Sequence, residues 1–119
     1  MTGTQEQQAA NAAVEPPEDA ALRRRIRQLL EEGLQTEVHP RADTPEMVQE
    51  VVHRLQEECG DDLQCKLVVA GFTLQPVEHG GMEQACETCM YYLIHRKWCE
   101  LPELDVPVEP QWSCRLWRI

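Results

Sequence analysis

The C-terminal end of this chain constrains everything before it. Four cysteines stand there as Cys86-x2-Cys89-x9-Cys99-x14-Cys114, within the last 34 residues. All three tryptophans (Trp98, Trp112, Trp117) and both tyrosines (Tyr91, Tyr92) follow position 90. A segment this short is too small for an ordinary hydrophobic core. Four thiols in it therefore suggest a bound inorganic centre that supplies the missing stability.

The rest of the chain is sparing in aromatics, with Phe72 alone before the cysteine-rich end, so any core there is aliphatic. At 119 residues there is room for one ordinary domain, or a small domain plus a tail. Acidic residues outnumber basic ones by 21 to 11, a net charge of −10. Nucleic acid and anionic membrane surfaces would repel such a chain, so neither is expected as a partner. A protein partner with a basic surface fits better. No apolar run approaches the roughly 20 residues of a membrane span. The stretch MTGTQEQQAANAAVEPPED has neither a basic start nor an apolar centre, so it does not read as a secretory signal. The expectation is a cytoplasmic protein, in which clustered cysteines serve as ligands more often than as disulfides.

Residues 1–18, rich in Gln, Ala, Glu and Pro, read as a disordered tail. Residues 19–76 read as a small helical unit with one or two strands. Leu22, Ile26, Leu29, Leu30 and Leu34 share one helical face from Asp19 to a stop at Gly33, and Arg23, Arg24, Arg25 and Arg27 form a solvated opposite face. Thr36–Val38 is a candidate short strand. Thr44-Pro45-Glu46 starts a second helix, with a capping hydroxyl, a proline that loses no hydrogen bond and a carboxylate at the positive end of the dipole. Val48, Val52, Leu55 and Cys59 continue its apolar face to Gly60. Lys66–Leu74 (KLVVAGFTL) reads as a strand, with a short buried helix as the alternative. Pro76 and Gly80-Gly81 mark a hinge into a loop-rich module, 82–119. The fold class is thus α+β.

Cys86 and Cys89 suit metal binding because a tight turn aims both sulfurs at one centre and its backbone N–H groups can bond them. Cys99 and Cys114 arrive singly. Structural zinc sites usually pair two such turns, whereas the four irons of a cubane cluster each take one thiolate and accept spread ligands. Six acidic and four basic side chains lie between Met82 and Ile119. Zinc and an oxidised cluster core carry the same charge, so electrostatics does not choose between them. A sheath of Trp98, Trp112 and Trp117 would keep a cluster dry and set its potential, and it would equally serve as core around zinc. Cys59, on an apolar helix face, reads as a buried structural thiol, and a redox role would need it beside Cys65. His79 and His95 are weaker ligand candidates. No G-x-S-x-G, P-loop or G-x-G-x-x-G is present, so no enzyme activity is expected.

The run Cys86-x2-Cys89, Cys99 followed by Pro102, and Trp112-Ser113-Cys114-Arg115-Leu116-Trp117 resembles the high-potential iron–sulfur proteins. It also resembles the small cluster-bearing subunits of some glycyl-radical enzymes. The resemblance covers about residues 82–119. It implies that Cys86, Cys89, Cys99 and Cys114 each bind one iron of a single [4Fe-4S] cluster. The leading expectation is a cytoplasmic iron–sulfur protein that serves a larger redox enzyme as electron-transfer partner or accessory subunit. The alternative is an adaptor stabilised by Zn.

Overall fold

The computed structural model describes residues 15–119, and the greater part of the 1–18 tail lies outside them. Helix α1 spans Pro17–Glu31 and so takes in the last two residues assigned to that tail. Pro17 opens it because a first-turn proline forfeits no hydrogen bond, and Glu18 and Asp19 complement the dipole. Its apolar stripe is the expected one. Ile26 is fully buried, and Leu22, Leu29, Leu30 and Leu34 pack around it.

Helix α2, Pro45–Arg54, starts at the predicted signal, where Thr44 Oγ1 accepts from the Met47 N–H at 3.2 Å. It continues as a π-helical turn, Leu55–Cys59, and stops at Gly60. Helix α3, Leu63–Ala70, replaces the strand expected over Lys66–Leu74. Asp62 caps it through the Cys65 N–H at 2.9 Å. Leu67, Val69 and Ala70 are buried on several sides of the helix, so its β-branched content reflects burial and not extension. Gly71 ends it with a left-handed turn (φ 69°), and a Cβ there would meet the Glu37 carbonyl oxygen at 2.2 Å. No strand forms at Thr36–Val38. That segment instead runs beside the end of α3, where the Glu37 N–H bonds the Val68 carbonyl at 2.9 Å.

Two small antiparallel sheets complete the α+β fold. Strands β1 (Val77–His79) and β2 (Met82–Gln84) form a hairpin, so Gly80-Gly81 is its two-residue turn rather than a hinge. Strands β3 (Tyr92–Leu93), β4 (Trp98–Cys99) and β5 (Val106–Pro107) form the second sheet in that order, with Tyr92 opposite Cys99 and Cys99 opposite Val106. Among the described residues no helix is long and apolar enough to cross a membrane.

One core runs through both halves. Leu55, Leu67 and Phe72 from the helical segment meet Leu104, Val108, Trp112 and Leu116 from the cysteine-rich one. Arginine completes the join, and here the solvated-face expectation for Arg23 and Arg27 fails. Arg23 is 2 % exposed and donates to the carbonyls of Val108 (3.2 Å) and Lys97 (2.7 Å), with Glu15 as its ion partner. Arg27 pairs with Glu109 over the Trp112 ring. Only Arg24 and Arg25 face solvent. The acidic side of the join is Asp19, 5 % exposed, which accepts from Arg96 at 2.9 Å.

Candidate metal centre

Cys86, Cys89, Cys99 and Cys114 are the four free cysteines, and all four line one cavity. The rest of its wall is apolar or aromatic: Phe72, Tyr91, Tyr92, Val108 and Trp117.

The four thiols are delivered by three pieces of backbone. Cys86 opens a short 3-10 turn, Cys86–Thr88, anchored where its N–H bonds the Trp112 carbonyl at 2.6 Å. The Cys89 N–H closes that turn onto the Cys86 carbonyl at 3.0 Å, which brings both sulfurs to one side. Cys99 sits on the central strand of the three-stranded sheet. Cys114 follows Ser113, whose reciprocal bridge with Thr73 (2.8 and 3.1 Å) ties it to the chain just after α3. The backbone N–H groups of Leu101 and Leu116 pull the Cys99 and Cys114 thiols back toward ionisation, against the stronger effect of burial. Such N–H···S contacts favour the thiolate and are a main lever on cluster potential.

Without a cation Cys86, Cys99 and Cys114 resist ionisation. Burial, then the neighbouring Cys114, Cys99 and Cys89, pushes Cys86 well above the usual thiol range. Burial and Cys114 raise Cys99 likewise. Cys114 is pushed up to about 12, chiefly by burial, against the Leu116 N–H and the positive charges of Arg41 and Arg115. Four sulfurs that oppose one another's charge in an apolar cavity make a site that a metal cation would complete. Among the described residues no three His, Cys, Asp or Glu side chains converge at the spacing one metal ion requires. Four thiolates on one zinc must all come within about 2.3 Å of the same point.

The tryptophan sheath is only partly realised. Trp117 lines the cavity, with its Nε1 donating to Thr88 Oγ1 at 3.0 Å. Trp98 does not, because neighbouring residues on a strand point to opposite faces and Cys99 takes the inner one. Its ring lies instead under Arg96, 3.5 Å from the centroid, and its Nε1 donates to Asp105 at 2.7 Å. Trp112 is 1 % exposed but packs into the shared core beneath Arg27. Tyr91, Tyr92, Val108 and Phe72 take their place. Phe72 comes from the helical half, and its one sequence signal was its isolation as the sole phenylalanine.

The other candidates fall away from the cavity. His95 is exposed, and His79 bonds Asp43 at 2.9 Å. Cys59 is not a free thiol. It forms a disulfide with Cys65, the two Cα atoms 5.2 Å apart. The π-helical turn and the Gly60–Asp62 corner fold the chain back far enough to bring α3's first turn against it.

Comparison with known proteins finds no matching family, curated protein or solved structure.

Proposed function

We propose that this chain is an iron–sulfur protein that binds one [4Fe-4S] cluster through Cys86, Cys89, Cys99 and Cys114, and that it passes electrons to or from a larger redox enzyme as its small partner or accessory subunit. The observation that carries the reading is the sharing of one apolar cavity by all four free thiols. Bound there, the cluster supplies one-electron redox chemistry. The chain's own part is to hold four thiolates, exclude water with Phe72, Val108 and the aromatic rings, and keep one side of the centre near the surface.

That side is marked by a half-buried rim and an exposed apolar edge. Cys89, Tyr91, Tyr92 and Trp117 are half-buried, and next to them Met90 and Ile119 are 58 % and 79 % exposed. The Met90 N–H bonds the Arg118 carbonyl at 2.8 Å, which holds the two apolar side chains on the same edge. An electron partner docking here comes nearest to the centre. A cytoplasmic site of action belongs to the proposal. In a reducing cytoplasm the Cys59–Cys65 disulfide would be a transient or redox-active bond, since permanent ones persist mainly in oxidising compartments.

Anaerobic purification followed by iron, acid-labile sulfide and zinc analysis tests the reading. A brown protein with iron and sulfide in equal amounts supports it. One zinc per chain without sulfide overturns it and leaves a structural adaptor.

A further inference from the structure

Three arginines of the described chain are buried: Arg23, Arg41 and Arg115. Arg23 pairs with Glu15, and Arg115 with Glu37 at 3.1 Å. Arg41 has no carboxylate partner among the described residues, although it is 2 % exposed. Its Nε and Nη2 both donate to Gln84 Oε1 (3.0 and 2.7 Å). Nη2 also reaches Ser113 Oγ at 3.2 Å and the Cys114 carbonyl at 2.8 Å, and Nη1 reaches the Val38 carbonyl at 3.2 Å. Every acceptor is neutral. Asp43 lies near enough to be felt, but its carboxylate is exposed and bonded to His79.

A buried cation held only by neutral groups is costly unless an opposite charge stands nearby. Arg41 is clamped to the peptide of Cys114, one of the four thiols, and the electrostatic neighbour it feels most is the Cys114 sulfur. Four thiolates outweigh the core they would hold, and each added electron deepens that negative charge. A fixed cation behind one ligand favours the reduced form more than the oxidised one.

We propose that Arg41 is the built-in counter-charge of the centre, which raises its reduction potential and balances the ligand shell in the dry interior. The proposal rests on the cluster reading above. Arg41 acts through the field at Cys114 and is a positioning residue, not a ligand. Gln84 completes the device. Its amide oxygen orients the guanidinium without neutralising it, which a glutamate at the same place would do.

The test uses the full chain, reconstituted anaerobically with equal amounts of ferric and ferrous iron and with sulfide, and reads the midpoint potential by spectroelectrochemistry alongside iron and sulfide content. Wild type that takes up no iron and sulfide sinks the cluster reading, and Arg41's role with it, before any variant is made. If it loads, Arg41→Gln is expected to shift the one-electron equilibrium at least tenfold toward the oxidised form, about 59 mV more negative. Arg41→Lys is expected to recover most of that shift. Gln84→Glu keeps the arginine and its packing and is expected to lower the potential in the same direction, so it serves even if Arg41→Gln does not fold. Exposed Arg24→Gln is the control. A potential in Gln84→Glu or in folded, loaded Arg41→Gln that matches Arg24→Gln overturns the proposal and leaves the cluster reading intact.

Discussion

Replacing Gly71 with alanine strikes the joint between the helical half and the metal centre. Gly71 has φ 69°, and a left-handed residue bearing a Cβ costs roughly 1–2 kcal/mol. The new methyl would also stand 2.2 Å from the Glu37 carbonyl oxygen. That peptide cannot retreat freely. The Glu37 N–H is bonded to Val68, and its carboxylate is gripped by Arg54 at 2.7 and 2.8 Å and by Arg115 at 3.1 Å. Overpacking against a fixed neighbour costs about 1–3 kcal/mol, which brings the expected loss to roughly 3 kcal/mol. Gly33 supplies the comparison, since its φ is 101° and nothing lies within 4 Å of an added Cβ. Gly33→Ala should therefore suffer the backbone strain alone. Urea unfolding of both full-length variants, with equal m-values, reads the difference. Phe72 follows Gly71 and forms part of the cavity wall, so Gly71→Ala should also speed the loss of iron in air while Gly33→Ala does not. Equal destabilisation by the two substitutions would refute the close approach of Glu37 and the rigidity ascribed to it.

Cys114→Ser should abolish or convert the centre. Cys59→Ser should keep its iron while losing about 2 kcal/mol of stability, the loop-closure contribution expected for a disulfide with a sequence separation of 6; iron analysis and denaturation separate the two outcomes. Arg23→Met strips the Lys97 and Val108 carbonyls of their donor, with an expected cost of about 2–4 kcal/mol in urea unfolding, and loss near zero would mean that α1 does not brace the cysteine module. Hydrogen bonds from Arg54, and then the charges of Arg54 and Arg115, hold the Glu37 carboxyl below its usual 4.5. A depressed carboxyl contributes stability that is present above its unfolded value and is lost as pH falls below about 4.5. Glu37→Gln should flatten that acid limb in unfolding measured from pH 7 to pH 3, and an unchanged limb would contradict the ion-pair network.

What the sequence made legible follows from how local each signal is. Thr44-Pro45-Glu46 and Gly60 bound α2 and its π-helical extension because caps and stops act within one turn. The four ligand candidates separated from Cys59 and Cys65 by spacing alone, and the fold keeps that partition. Lys66–Leu74 was misread because a short apolar run looks alike as a strand or as a helix buried on several sides, and the deciding restraints, the Asp62 cap and the Cys65 cross-link, lie at its edge. Arg23 and Arg41 carried no signal at all. A buried arginine is recognised by the carbonyls it meets, and those come from residues 73 or more positions away for Cys114, Lys97 and Val108. Trp98 failed as a sheath residue for a reason already present in the sequence. Its place beside Cys99 on a strand turns it to the opposite face.

Native mass spectrometry of the anaerobically purified full chain tests the central claim most directly, because it counts the metal and the thiols in one spectrum. The account predicts a mass that exceeds the chain by four irons and four sulfides, with the hydrogens of the Cys59–Cys65 thiols missing and no zinc adduct. A chain carrying a single zinc, or one carrying no metal with Cys86, Cys89, Cys99 and Cys114 joined in disulfides, would contradict it.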